Sequence, residues 1–219
     1  MTTALVFGAT GFIGSQLLRG LLDHADYSRV IAVVRRPVAL SDPKLTVLIG
    51  DLDRLPELAG QLVADEVFIA LGTTRKQTPD QAAYYRIDHD YPVEAARIAR
   101  HNGARAVLLV SSVGADAASR SFYLRAKGET ERDVLALGFP HTAIFRPSMI
   151  MGERAEHRPL ERLFITLARI ANPLLHGAAD RFRGIDAGDV ARAMIAAART
   201  DAPGERIYHW REMMALLGR

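Results

Sequence analysis

Short apolar runs alternate along most of the chain with longer stretches in which apolar residues recur at helical spacing. The runs are rich in β-branched residues and predict six strands, at residues 5–7, 30–34, 46–49, 67–71, 106–110 and 142–145. The stretches between them predict amphipathic helices at 13–22, 93–100 and 122–137. Because the strands are almost continuously apolar, both of their faces are expected to be covered. The pattern therefore predicts a parallel, doubly wound α/β sheet.

The pattern becomes less regular after Pro147. Residues 152–159 are polar and charged, residues 160–170 predict a helix, and residues 185–189 lead into a last long helix. No linker is long enough to divide the chain. We therefore expect a single domain over residues 1–219, in which residues 147–219 form the substrate side and its lid.

Two local features bear on packing. Pro92 lies within a stretch of helical spacing, so we expect a break near Asp90 or a kink there. Large apolar residues are concentrated at 208–214, near the end of the chain. Their spacing is typical of core or subunit packing rather than of a cofactor site.

Composition is typical of globular proteins rather than disordered ones. Of the 219 residues, 49% are hydrophobic and 24% are charged. Lys and Arg number 28 and Asp and Glu number 25, so the net charge is only +3. Such a small excess gives no surface suited to following a phosphate backbone, and we expect no nucleic-acid partner.

The chain lacks the residues and segments that disulfides, metal sites, membrane insertion and secretion require. It has no cysteine, which excludes disulfides, thiolate catalysis and cysteine-ligated metals. Its seven histidines have no ligand spacing, so no metal site is expected. No apolar run approaches the roughly 18–20 residues of a membrane span, and no basic segment precedes the first apolar run. We therefore expect a cytoplasmic protein with no membrane partner.

A glycine-rich turn directly follows the first predicted strand and opens the first predicted helix. In this context the glycines allow a tight turn, a close approach of a pyrophosphate and close packing of helix on strand, while the helix N-terminus offers N–H groups to the anion. A turn that only packs the helix on the strand is the alternative. The motif predicts a Rossmann-type dinucleotide site made by Gly8, Thr10, Gly11, Phe12, Ile13 and Gly14.

The residues after the second predicted strand bear on the choice of dinucleotide. An NAD site usually places an acidic residue there, about 20 residues past the glycines, to bind the ribose 2′-hydroxyl. This chain has Arg35 and Arg36 instead, and two guanidiniums suit a 2′-phosphate. A solvated arginine pair in a surface loop is the alternative. The pair predicts NADP(H) in preference to NAD(H).

Further cofactor contacts are predicted from position at the ends of later strands. Asp51 follows the third strand, where its carboxylate can accept from the adenine amino group or cap the next turn. A glycine after the fourth strand lets the backbone lie against the cofactor. The predicted contacts are Asp51, Leu52, Leu71, Gly72, Thr73 and Pro147.

A serine, a tyrosine and a lysine form the candidate catalytic set. Ser112 lies at the carboxyl end of the fifth predicted strand, and Tyr123 and Lys127 are four residues apart on one face of the next helix. A neighbouring ammonium favours the phenolate and so brings a tyrosine into the range of acid–base catalysis. A serine hydroxyl can polarise the substrate oxygen. A chance tyrosine–lysine pair on a surface helix is the alternative, and Ser111 is a less favoured substitute for Ser112.

These motifs together resemble the short-chain dehydrogenase/reductase superfamily, and most closely its atypical, Tat-interacting-protein-like NADPH-binding branch. The resemblance covers the first two thirds of the chain. It implies that Ser112, Tyr123 and Lys127 are catalytic and that Tyr123 and Lys127 also contact the cofactor, with Lys127 on the nicotinamide ribose. It also favours a homodimer. The residues that carry it are 8–14, 35–36, 71–74, 111–116, 123–129 and 145–147.

Two departures from the superfamily pattern are visible. Asp88 stands where a relay asparagine is usual; its carboxylate can order the same water but repels a phenolate. The chain after Lys127 is short for an enzyme of nucleotide sugars, which disfavours so bulky a substrate. Arg154 and Arg158 either clamp an anion or lie in a solvated loop.

The sequence therefore favours an oxidoreductase that uses NADP(H) and transfers hydride to or from a small carbonyl or alcohol substrate. One alternative is an NADPH-binding regulatory or scaffold protein without turnover. Another is an epimerase or dehydratase that only borrows the hydride. Fold alone does not decide among them.

Overall fold

The computed structural model describes residues 1–151, 175–200 and 203–219. Within them a seven-stranded parallel sheet has the order β3-β2-β1-β4-β5-β6-β9. Its strands are β1 (Thr2–Phe7), β2 (Tyr27–Val34), β3 (Leu45–Ile49), β4 (Glu66–Ile69), β5 (Ala106–Val110), β6 (His141–Phe145) and β9 (Gly204–Tyr208). Two short strands pair separately, β7 (Ile150–Met151) and β8 (Ile185–Asp186). The prediction of a parallel, doubly wound sheet is confirmed.

Helices cover both faces of this sheet. Within the described ranges they are α1 (Phe12–Asp23), α2 (Gln81–Tyr85), α3 (Tyr91–His101), α4 (Phe122–Leu135), α5 (Ala187–Ala198) and α6 (Trp210–Leu216). Alternate residues of β1 point to opposite layers: Ala4 and Val6 pack with α1, α5 and α6, whereas Leu5 and Phe7 pack with α3 and with the 3₁₀ helix Leu52–Gln61. Burial on both faces explains why the strands read as continuous apolar runs.

The last strand of the sheet is one that hydrophobic periodicity did not predict. β9 joins the sheet beside β6, and four of its five residues are exposed. An edge strand needs few apolar residues, so its sequence resembles a loop. Tyr208 anchors it by stacking on the ring of Phe145, with 4.9 Å between centroids. The sequence pattern favours core or subunit packing for this region, and the burial of Met213 and Met214 places these two residues in the core.

The interruption expected near Pro92 is a π-helical turn. Arg86–Asp90 has π geometry and joins α2 directly to α3, and Pro92, which has no N–H to donate to the preceding turn, lies at the start of α3. π turns inside helices often occur at functional sites. This one places Asp88, which is 1% exposed, toward the sheet edge described below.

Three sequence predictions fall outside the described residues. They are the helix at 160–170 and the roles of Arg154 and Arg158. None of the helices that are described is both long enough and apolar enough to cross a bilayer.

Candidate functional site

The loops that carry the predicted site residues meet at the carboxyl edge of the sheet. β1, β4, β5 and β6 are consecutive and parallel, so the chain segments that follow them emerge side by side. Ligands of doubly wound sheets bind outside this edge. The parallel order therefore brings together the glycine turn, residues 71–73, residues 111–112 and Pro147.

The glycine turn between β1 and α1 leaves no room for side chains at two of its positions. Gly8 has φ 84°, and a Cβ there would lie 2.5 Å from the carbonyl oxygen of Ala70. A Cβ on Gly14 would lie 1.9 Å from the carbonyl oxygen of Gly8. α1 is thereby packed directly against the turn. Only glycine at both positions permits this arrangement.

The N-terminus of α1 faces this edge without any side chain to cap it. Gly11 is the N-cap residue, and the first turn of the helix has no acidic residue. Thr10 and Gly11 are exposed, Phe12 is half-buried and Ile13 is buried. Ile13 can therefore meet a ligand only through its backbone, and the exposed backbone at Thr10 and Gly11 offers the approach that an anion requires.

The two predicted arginines lie beside this turn, directly after β2. Both Arg35 and Arg36 are exposed, and neither has a carboxylate partner among the described residues. On the neighbouring strand end, Asp51 caps the 3₁₀ helix by accepting from the N–H of Asp53 at 3.1 Å. One of its oxygens thus caps a helix, which was one of the two roles predicted for Asp51. Leu52, the next residue, is half-buried.

The segment that follows β4 is held by Asp88. One carboxylate oxygen of Asp88 accepts from the N–H of Thr73 at 2.9 Å. A Cβ on Gly72 would lie 3.6 Å from the other oxygen of that carboxylate and 3.7 Å from the Lys127 ammonium nitrogen. Gly72 is exposed and Leu71 is half-buried. The backbone of this segment therefore lies directly against a buried ion pair.

That ion pair joins Lys127 directly to Asp88. The Nζ atom of Lys127 is 2.8 Å from Oδ1 of Asp88, and both side chains are buried. Thr130 hydrogen-bonds through its hydroxyl to the backbone carbonyl of Asp88 at 2.9 Å, which fixes the π turn against α4. The carboxylate flagged in the sequence as a departure thus neutralises and orients the lysine directly.

The two adjacent serines have different surroundings. Ser111 donates to the buried carboxylate of Glu131, which also holds Arg146 through two hydrogen bonds. Within the described residues, Ser112 makes a single long contact of 3.4 Å, to the carbonyl oxygen of Val113. The hydroxyl of Ser111 is therefore committed to the fold. That of Ser112 is left for another acceptor.

Tyr123 lies in the first turn of α4 and is 39% exposed. Its hydroxyl makes no hydrogen bond to a residue of the described segments, and Lys127 lies one helical turn further on. Nearby, the carbonyl oxygen of Pro147 accepts from the N–H of Val113 at 3.0 Å and ties the loop after β6 to the loop after β5. The phenol is thus open to a ligand beside a rigid pair of loops.

Sequence reasoning did not find two groups of residues at this edge. Glu131 and Arg146 hold Ser111 in place, and Tyr84 donates to the carbonyl oxygen of Thr73 at 3.3 Å. Burial raises the pKa of the Tyr84 phenol above its usual value, and the nearby Asp88 and Tyr123 add to this effect. Arg146 lies in one of the matched motifs, whereas Tyr84 has no signal in the sequence.

Solved structures with the same fold include enzymes that bind NAD. MoeE5, solved with UDP-glucose and NAD, has a TM-score of 0.70 and 23% identity, covering 97% of this chain and 80% of that one. The Bordetella bronchiseptica enzyme WbmH, solved with NAD⁺, has a TM-score of 0.71 and 18% identity, covering 95% of this chain and 75% of that one. At such identities the likeness establishes the fold alone.

Relatives at higher identity are fungal proteins. Protein fmp52 of Aspergillus fumigatus is 38% identical over 202 residues, which cover 89% of this chain and 86% of the relative. Protein FMP52 of Saccharomyces cerevisiae is 37% identical over 157 residues, which cover 70% of this chain and 68% of the relative. The similarity thus extends well beyond the glycine turn.

These relatives contradict the expectation of a cytoplasmic protein. Both fungal proteins are named as mitochondrial. The features used for that expectation, a lack of cysteine, of apolar spans and of a secretory pattern, bear on secretion and membrane insertion. They do not distinguish the cytosol from the interior of a mitochondrion.

The match to a known family covers nearly the whole described sheet. It extends over residues 4–209, from the first strand to the residue after the last. The resemblance inferred from the motifs is confirmed, since this family is part of the short-chain dehydrogenase/reductase superfamily. The chain belongs to the NAD-dependent epimerase/dehydratase family.

Proposed function

We propose that the protein is an NADP(H)-dependent oxidoreductase of small carbonyl or alcohol substrates. One feature supports the proposal: Ser112 follows β5, and Tyr123 and Lys127 lie on α4, the helix that comes next, at the sheet edge that also carries the glycine turn. The tyrosine hydroxyl has no hydrogen-bond partner there among the described residues, whereas the lysine is buried and fixed by Asp88.

The surroundings of the glycine turn fit a dinucleotide. We assign the pyrophosphate to the uncapped N-terminus of α1 and the 2′-phosphate to Arg35 and Arg36. The exposed backbone of Gly72 suits contact with the nicotinamide half. When bound, the nicotinamide supplies or accepts the hydride.

The side chains then perform the proton chemistry. During carbonyl reduction the hydroxyl of Tyr123 donates its proton to the carbonyl oxygen, while hydride adds to the carbon. Ser112 donates a hydrogen bond to the same oxygen as negative charge develops on it. The Lys127 ammonium stabilises the phenolate left on Tyr123, and Asp88 holds that ammonium in place.

Family membership favours a second candidate, an epimerase or dehydratase. Structural neighbours include a UDP-N-acetylglucosamine 4-epimerase from Methanobrevibacter ruminantium, with a TM-score of 0.70 and 19% identity. An epimerase returns its cofactor unchanged after each turnover. An oxidoreductase consumes one reduced cofactor for each product, so the fate of NADPH separates the two.

The first experiment is a side-by-side titration of the purified protein with NADPH and NADH by calorimetry. We expect NADPH to bind at least tenfold more tightly, because each guanidinium pairs with a phosphate oxygen that NADH lacks. Replacing both Arg35 and Arg36 with alanine removes the preference. Arg19→Ala is the matched control, since Arg19 is also exposed but lies on α1 away from the turn. Equal binding of the two cofactors contradicts the NADP(H) assignment.

The second experiment follows NADPH absorbance with a panel of small aldehydes and ketones. Stoichiometric oxidation of NADPH supports the oxidoreductase. Binding of NADPH without its consumption by any member of the panel, combined with epimerisation of a nucleotide sugar, favours the second candidate instead.

A further inference from the structure

A cavity of about 320 Å³ opens beside Phe122, the residue before Tyr123, and is not used by the chemistry described above. This volume is at the lower end of those typical for small-molecule sites, about 300–1,000 Å³. The cavity lies between the segment that follows β4 and the first turn of α4. The residues that line it are Arg75, Thr78, Pro79, Gln81, Tyr84 and Phe122.

The position of the cavity connects it to the catalytic set. Phe122 immediately precedes Tyr123 in α4, and its ring contacts Tyr84 edge-on, with 5.7 Å between centroids. Tyr84 donates to the carbonyl oxygen of Thr73, whose N–H in turn donates to Asp88, the partner of Lys127. The cavity therefore has Arg75 in its lining and is joined through Tyr84 to the segment that Asp88 and Lys127 hold.

Two aromatic rings line one side of the cavity, and hydrogen bonds close the loop beside it into a turn. Tyr84 is buried and Phe122 half-buried, so carbon-rich ring surfaces face the cavity. The hydroxyls of Thr73 and Thr78 are 2.9 Å apart, and the N–H of Thr78 donates to the carbonyl oxygen of Thr74 at 2.9 Å. The loop that carries Arg75 is thus closed into a compact turn. Such a wall favours a flat or apolar ligand body.

The guanidinium of Arg75 has no carboxylate partner among the described residues, although acidic groups lie nearby. Asp80 uses its side chain to cap α2, accepting from the N–H of Ala83 at 2.7 Å. Asp88 is occupied by Lys127 and by the N–H of Thr73. The Arg75 guanidinium is therefore available to a ligand in the cavity. A carboxylate matches its planar arrangement of N–H donors.

We infer that the substrate is a small carbonyl acid with an aromatic or apolar body, whose carboxylate binds Arg75 while its carbonyl meets Tyr123 and Ser112. This inference rests on the proposed function for the carbonyl end. The carboxylate end depends only on the cavity. Binding and turnover can therefore be tested separately.

The turnover test compares two aldehydes that differ in charge. 4-Carboxybenzaldehyde carries a carboxylate and methyl 4-formylbenzoate does not, and both are assayed by NADPH oxidation. For Arg75→Gln we expect kcat/KM to fall about 10- to 100-fold with the acid, since a charge-assisted hydrogen bond is lost, and to change less than twofold with the ester. Arg75→Lys recovers part of the loss. Equal effects on the two aldehydes contradict the inference.

The matched control is Lys76→Gln. Lys76 is exposed on the same turn and carries the same charge, but it does not line the cavity. We expect its kcat/KM to stay within twofold of the wild type for both aldehydes. If Lys76→Gln loses as much kcat/KM as Arg75→Gln, the effect comes from the positive charge of this surface in general, and the inference is overturned. Thermal melts of both variants should match the wild type, since neither side chain has a partner among the described residues.

A binding measurement separates this inference from the proposed function. Benzoate is titrated into the NADPH-loaded protein and followed by ligand-observed NMR. If benzoate binds the wild type and not Arg75→Gln while neither aldehyde is reduced, the cavity assignment holds and the proposed reaction fails. If benzoate binds both proteins equally or neither of them, the cavity assignment fails whatever the turnover.

Discussion

The two edges of the sheet use the same kinds of side chain in opposite ways. At the amino edge, Tyr27 donates to Glu66 at 2.6 Å, and Arg199 pairs with Glu66 while its guanidinium lies 4.8 Å from the centroid of the Tyr27 ring. Tyrosine, carboxylate and cation are thus paired with one another. Burial raises the pKa of Tyr27, so its phenol stays protonated through the neutral range.

At the carboxyl edge the same three kinds of group are only partly paired. Asp88 and Lys127 form a buried ion pair, yet the phenol of Tyr123 beside them has no described hydrogen-bond partner and is exposed. A closed cluster of polar groups stabilises the fold, whereas an open one at a ligand-binding edge is available for chemistry. Matched substitutions at the two edges test this distinction.

The tyrosine pair gives the largest expected difference. Tyr123→Phe removes the proton donor and should lower kcat about 10²- to 10⁴-fold, with NADPH affinity and melting temperature unchanged. Tyr27→Phe removes a buried hydrogen bond and should cost about 1–2 kcal/mol of unfolding free energy, with kcat unchanged. Steady-state kinetics and urea unfolding are measured on both. Normal turnover by Tyr123→Phe would falsify the catalytic assignment.

The carboxylate pair comes next. Asp88→Asn leaves Lys127 buried without a counter-charge and should cost about 3 kcal/mol or more of unfolding free energy. It also leaves the lysine charge uncompensated beside Tyr123, so the pH of half-maximal alcohol oxidation should move downward. Glu66→Gln should cost about 2 kcal/mol, because Arg199 is partly solvated, and should leave the pH profile alone. The same shift in both variants would mean that Asp88 acts only through stability.

Two glycines of α1, one at the glycine turn and one away from it, allow a comparison of the steric effect of an added Cβ. In Gly14→Ala the Cβ lies 1.9 Å from a backbone oxygen, which no side-chain rotation relieves, so we expect weak cofactor binding and a loss of about 2–3 kcal/mol. Gly20→Ala meets only the Cδ1 methyl of Ile195 at 2.8 Å. That methyl can move, so a change below about 1 kcal/mol is expected. Calorimetric titration with NADPH and chemical unfolding compare the two, and intact binding by Gly14→Ala would remove the turn from the cofactor site.

The smallest expected effect is a pH dependence confined to the carboxyl edge. Burial and the nearby Arg146 hold the pKa of His209 below its usual value of 6.5. The unfolded chain therefore takes up a proton at higher pH than the folded one, so stability is full above about pH 6.5 and falls as the pH is lowered toward the depressed pKa. His209→Asn, which retains an N-cap side chain, should abolish this dependence in melts recorded from pH 7.5 to 5. An unchanged dependence would assign it to another group.

The sequence was sufficient to predict the parallel sheet and its main helices, but not the edge strand β9 or the exact ends of the strands and helices. Fully buried strands and amphipathic helices have a recognisable pattern of apolar residues. Six strands and the main helices were therefore predicted to within a few residues. β4 ends at Ile69 rather than at Leu71, since the chain there turns toward Asp88. β9 was missed because an edge strand with four exposed residues has no such pattern of apolar residues.

Motif spacing placed the candidate site residues, and the tertiary structure decided their partners. The sequence favours Ser112 over the adjacent Ser111 only through the family resemblance, whereas the structure shows that Glu131 of α4 holds the Ser111 hydroxyl. Asp88 was noticed as a departure, but its direct pairing with Lys127 depends on the π turn that packs against α4.

The sequence by itself determined the doubly wound sheet, the glycine turn and the spacing of the serine, tyrosine and lysine, because local periodicity and backbone sterics record these directly. The tertiary structure decided which polar groups are satisfied and which remain open. Arg75 acquires a role only because α2 and α4 form a cavity beside it and Asp80 and Asp88 are used elsewhere. Such pairings join segments far apart in the chain, and short-range patterns do not encode them.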